Sequence, residues 1–66
     1  MEITLNGTAR PLSEPLTLAQ LLDQLGLTGK RLAVEVNRDI VPRGEHVTHA
    51  LRDGDRVEII HAIGGG

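Results

Sequence analysis

Apolar and polar residues alternate over the first six positions, with Met1, Ile3 and Leu5 on one side and Glu2, Thr4 and Asn6 on the other. A period of two is that of a strand with one dry and one wet face, and it predicts β structure here. Gly7-Thr8 then reads as a two-residue turn, and ARPL at 9–12 as a weaker returning strand. Pro11 has no N–H to give to a ladder, which suits a sheet edge. The period changes at Leu18, because Leu18, Leu21, Leu22 and Leu25 share one helical stripe while Gln20, Asp23 and Gln24 fall on the opposite side. The spacing predicts a helix over Leu18 to Leu25. Thr17 and Gln20 have the separation of a capping box, and Gly26 can supply the left-handed residue that ends it.

Alternation returns in RLAVEV at 31–36, with Leu32, Val34 and Val36 on one face, and NRD makes a tight turn into IVP. These segments predict a second hairpin. Positions 43–55 are polar and irregular, with room for one short helical turn, and Asp53-Gly54-Asp55 is a strong turn signal. RVEIIHAI at 56–63 is the last strand. Its alternation places Val57 and Ile59 toward the core and Arg56, Glu58, Ile60 and Ala62 on the other face, so Ile60 is a candidate exposed apolar contact unless a bulge reverses the assignment. The order is strand, strand, helix, strand, strand, loop, strand. One helix with one apolar stripe covers one sheet face and leaves the other wet, which defines an α+β roll with a mixed sheet of four to five strands.

Composition narrows the function. A chain of 66 residues holds one small core, expected here as a body over 1–63 and a flexible glycine tail over 64–66. With no Cys there is no disulfide framework, thiolate metal site or thiol nucleophile, and the cytoplasm is the expected compartment. Seven Lys and Arg are interspersed with nine Asp and Glu, and there is no aromatic residue to stack on a base, which disfavours nucleic acid. No apolar run approaches the ~18 residues that would span a membrane, and MEITLNG lacks a signal-peptide pattern. His46 and His49 form an H-x-x-H pair without a third ligand nearby in sequence, and the reading is a solvated loop. His61 reads as an ordinary strand residue, and Arg38, Arg43, Arg52 and Arg56 as solvated cations, with an acidic partner as the alternative for some of them.

The chain closes on HAIGGG. Glycine loses more conformational freedom on ordering than any other residue, so three in succession are either incidental or present for their flexibility.

VNRDIVPR at 36–43, LRDGDRVEII at 51–60 and the closing GGG together favour a functional tail over an incidental one. With this order of elements the chain resembles the ubiquitin-like β-grasp sulfur carriers, and within them those of thiamine thiazole biosynthesis; the molybdopterin carriers are typically longer. The resemblance covers essentially the whole chain. It implies a carrier that is a substrate of enzymes and not itself an enzyme. An E1-like adenylyltransferase would use ATP to activate the Gly66 carboxylate, a sulfur donor protein would convert it to a thiocarboxylate, and thiazole synthase would consume the sulfur. Gly64 and Gly65 would thread the partner's active site, with Ile60, Ala62 and Ile63 as the contact surface and no cofactor held stably by the carrier.

The residues agree with that implication. Lys30 is the one lysine and Ser13 the one serine, so no side-chain nucleophile with a partnered base is evident, and the Gly66 carboxylate is the candidate reactive group. Three extended glycines would carry it ~10 Å beyond the body. Two readings stay open: a sulfur carrier, for thiazole or for molybdopterin, and a non-conjugated ubiquitin-like binding module whose tail is incidental.

Overall fold

In the computed structural model, which describes residues 1–61, β1 (Glu2–Leu5) pairs antiparallel with β2 (Thr8–Pro11), and Leu5 faces Thr8. The turn is therefore Asn6-Gly7 and not Gly7-Thr8. Both turn residues have positive φ, 48° and 83°, as a type I′ hairpin demands. Asn and Gly enter that region, whereas the β-branched side chain of Thr8 is sterically kept out of it. Met1 also departs from the alternation and is 40% exposed, although its carbonyl accepts from Leu12 N at 2.7 Å and so carries the hairpin pairing beyond β1.

Helix α1 (Leu18–Gln24) begins and ends where its sequence signals stand. Gln20 N donates to Thr17 Oγ1 at 3.2 Å and Thr17 N to Gln20 Oε1 at 2.9 Å, completing the capping box. Gly26 has φ 72°. Its N–H donates to Asp23 O at 3.0 Å and that of Leu27 to Leu22 O at 2.8 Å, the two bonds of a Schellman motif. Leu18, Leu21 and Leu22 are buried, while Leu25, at the C-cap, packs only half-buried against the core.

The polar stretch after the second hairpin is more ordered than its composition implies. A 3-10 turn (Arg43–Glu45) leads into a segment whose carbonyls meet the start of α1: Leu18 N donates to His49 O at 2.9 Å and Ala19 N to His46 O at 3.0 Å. These N–H groups have no partner inside the helix, so the loop is the other half of the helix cap. His46 is correspondingly buried and not solvated, with Nε2–H donating to Val41 O at 3.0 Å. The carbonyl only accepts, which fixes the proton on Nε2.

β3 (Leu32–Val36) and β4 (Asp39–Val41) form the second hairpin around Asn37-Arg38, again with both residues at positive φ. β5 (Arg56–His61) inserts between β1, to which it is parallel, and β3, to which it is antiparallel. The sheet order is β2-β1-β5-β3-β4, mixed and five-stranded, with Pro11 on an edge as expected. Ile3, Leu18, Leu21, Val34 and Val57 are fully buried between helix and sheet. Leu12, Leu16, Val41 and Leu51, which lie outside the strong periodic runs, complete the core.

Candidate functional site

β5 is held on both sides, so the last described residues of the chain stand at the centre of the sheet. Asn6 lengthens that hold: its N–H donates to Val57 O at 2.9 Å and its side-chain Oδ1 accepts from Ile59 N at 2.8 Å, continuing the β1 pairing past the turn. On the other side β5 keeps an unbroken register with β3, from Val57 opposite Val36 to His61 opposite Leu32. There is no bulge. Val57 and Ile59 are consequently buried and Ile60 stands 49% exposed, on the face away from the helix, as alternation predicts.

Three positions of that face are apolar. Ile60 lies opposite Ala33 across the β5–β3 pair, and Ile40 on β4 is 67% exposed. Between them Glu58 and Glu35 are directly opposite one another, with Glu58 also meeting Arg56 at 3.2 Å. Ile40 was not singled out by the sequence. Its signal was available in the pairing of Glu35 with Ile40, which puts the isoleucine on the same wet face as its charged neighbour.

His61 is exposed and ends the described chain. Ala62, Ile63, Gly64, Gly65 and Gly66, which carry the remaining site expectations, lie outside the described residues. Of the H-x-x-H pair, His46 turns into the body and bonds a backbone carbonyl, so the two rings serve different surroundings. No group of three metal-ligating side chains occurs among the described residues. Arg38, Arg43, Arg52 and Arg56 are exposed, as expected.

A five-stranded mixed sheet with one helix on one face, and a central last strand leading into glycines, defines a ubiquitin-like β-grasp domain of the sulfur-carrier type. Comparison with known proteins supports this. The ThiS family profile matches residues 3–66. The sulfur carrier protein ThiS of Escherichia coli is 33% identical over 66 residues, covering all of both chains. The crystal structure of thiamine biosynthesis protein ThiS from Geobacter metallireducens superposes with a TM-score of 0.86 at 30% identity, also over the whole of both chains. A thiazole synthase of Paramagnetospirillum magneticum is 41% identical over all 66 residues, of which this chain spans only 20% of that protein's length. The chain belongs to the ThiS family of sulfur carriers. Among its described residues no helix is long and apolar enough to cross a membrane.

Proposed function

We propose that this chain carries sulfur for thiazole formation in thiamine biosynthesis, in the cytoplasm, as a substrate of other enzymes. The reading rests on one observation: similarity to sulfur carriers runs the whole length of the chain and takes in the closing glycines, with the family match reaching Gly66.

The chemistry requires a free carboxylate at Gly66. An oxygen of that group attacks the α-phosphorus of ATP within an E1-like adenylyltransferase, pyrophosphate leaves, and the acyl group becomes an adenylate. Sulfide-level sulfur released by a donor protein then attacks the acyl carbon, AMP leaves, and a thiocarboxylate remains. Thiazole synthase consumes this sulfur. The name of the Paramagnetospirillum relative, which contains a stretch like this chain within a thiazole synthase, favours the thiazole branch over the molybdopterin branch. Gly64 and Gly65 occupy the narrow part of the partner's cleft, where the absence of a side chain permits close backbone approach. Ile60, Ala62 and Ile63 form the contact that seats the body, and ATP is bound by the partner.

Intact-mass measurement tests the reading. After incubation with ATP, the activating enzyme and a sulfur donor, the C-terminal peptide should exchange one oxygen for one sulfur. An unchanged mass with all components active would overturn it.

A further inference from the structure

Charges of both signs are interspersed along the sequence, but the fold collects three of the seven Lys and Arg residues at one place. Lys30 and Arg43 line a groove that runs past Leu22, Leu27 and His46, between α1, the loop that follows it and the 3-10 turn. Arg43 also lines an adjoining groove with Arg31, Ala33, Ile60 and His61. Leu32 is common to both. No acidic residue lines either groove.

Among the described residues these cations are not paired with a carboxylate; the ion pair there joins Arg56 to Glu58, away from this cluster. Arg43 Nη2 donates to Lys30 O at 3.0 Å. That bond fixes the guanidinium between two walls while using one of its five donors. All three side chains are exposed. Gathered like charges repel one another, and an external counter-charge would relieve that repulsion.

The position gives the cluster its meaning. Leu32 faces His61 and Ala33 faces Ile60 in the β3–β5 pairing, so Arg31 and Arg43 lie beside His61, the last described residue, with Lys30 in the adjoining groove. They also adjoin the exposed Ile60, and a cation beside an apolar anchor is a recurrent composition of protein interfaces. Building on the sulfur-carrier reading, we propose that Lys30, Arg31 and Arg43 form a basic collar at the root of the tail, which docks on carboxylates at the mouth of the activating enzyme's cleft. Protein carboxylates are favoured over nucleotide phosphates because Gly66 lies five residues beyond His61, a reach of up to ~18 Å. Extended to that reach, the tail sets the collar at the rim of the cleft while its end meets ATP. The collar then steers encounter and fixes how far the tail enters.

The test is carrier-dependent pyrophosphate exchange by a purified E1-like adenylyltransferase from the same genome. The doubly reversed variant Lys30→Glu/Arg31→Glu is compared with Arg38→Glu/Arg52→Glu, which changes net charge equally at exposed positions outside the collar. The collar variant should raise KM for the carrier ~10-fold or more, leave kcat at saturation unchanged and flatten the salt dependence of KM; the control should stay within ~2-fold of the parent. Melting curves establish that each variant is folded, and Lys30→Gln/Arg31→Gln serves if the reversed pair is not. Equal KM for collar and control variants, with normal exchange by the parent, overturns the collar and leaves the sulfur-carrier reading intact. A rise in KM for ATP instead of for the carrier also overturns it, in favour of a phosphate contact. No exchange by the parent removes the sulfur-carrier reading and the collar with it.

Discussion

Asp55 is clasped by Asn37 across 18 residues of sequence, the carboxylate Oδ1 accepting from Asn37 Nδ2 at 3.0 Å. Asp55 Oδ2 accepts from Arg52 N at 2.8 Å, while Asn37 Oδ1 accepts from Arg56 N at 2.9 Å. One buried carboxylate and one turn amide therefore tie the β3–β4 turn to the entry of β5. Asp53 acts at the same corner by accepting from Glu2 N at 2.7 Å, which joins the start of β1. The NRD and DGD stretches are structural clamps around the central strand.

Removing that clamp should be expensive for so small a domain. Asp55→Ala leaves Arg52 N and the Asn37 amide without their acceptor, and urea unfolding should show a loss of about 2 kcal/mol. Asp55→Asn keeps the shape but presents one acceptor where two donors converge, so it should lose about 1 kcal/mol. Equal stability of both variants and the parent would mean that water replaces the carboxylate at no cost.

Arg38 holds φ 74° in the second hairpin turn. A side chain in that region costs about 1–2 kcal/mol that glycine does not incur. Part of the gain from Arg38→Gly is lost to the greater freedom of glycine in the unfolded chain. The variant should still melt a few degrees higher, by roughly 0.5–1 kcal/mol of stability. No gain would show that the Arg38 side chain makes a compensating contact.

His46→Leu fills the same space without a donor and removes the Nε2–H bond to Val41 O. The expected loss is about 1–1.5 kcal/mol in denaturant unfolding. His49→Leu, at a half-buried loop position, should cost well under 1 kcal/mol by contrast. If both variants lose the same amount, the hydrogen bond to Val41 O is not what sets His46 apart.

Leu21 is fully buried beneath the sheet, and Leu21→Ala should lose about 2–5 kcal/mol, a large part of the stability such a domain has. Ile60→Ser, on the exposed face, should change stability by less than about 0.5 kcal/mol while weakening binding to the activating enzyme in titration calorimetry. Normal binding by folded Ile60→Ser protein would remove this isoleucine from the interface.

Deleting Gly64 to Gly66 should leave the melting temperature unchanged and abolish pyrophosphate exchange. A one-residue extension should do the same, because it moves the reacting carboxylate ~3.3 Å out of near-attack geometry. Gly65→Val should also block exchange, through the stiffness of a β-branched residue in a close channel. All three should still bind the partner through the body and inhibit exchange by the parent. Normal exchange by the extended protein would exclude the Gly66 carboxylate as the reacting group.

The legible parts of the sequence were those governed by neighbours. Strand alternation placed Ile60 on the wet face, and Thr17, Gln20 and Gly26 marked the ends of α1. The unread parts depend on residues far apart in the chain. Leu12, Leu16 and Leu51 carry no periodic pattern, since each enters the core from a loop whose course is set by the sheet. His46 looked solvated because its acceptor, Val41 O, and the helix N–H that binds its own carbonyl come together only after folding. The basic collar escaped for the same reason: Arg43 stands apart from Lys30 and Arg31 in sequence and joins them only at the end of β5.

The placement of β5 has a consequence for synthesis. Made after every other described strand, it takes the middle of the sheet, and until it arrives β1 and β3 have no shared neighbour. A nascent chain interrupted before Arg56 holds two separate hairpins and one helix with no common sheet to bury them. A ribosome product that stops short is thus left unfolded and open to proteolysis, and the chains that do fold have been translated at least through β5.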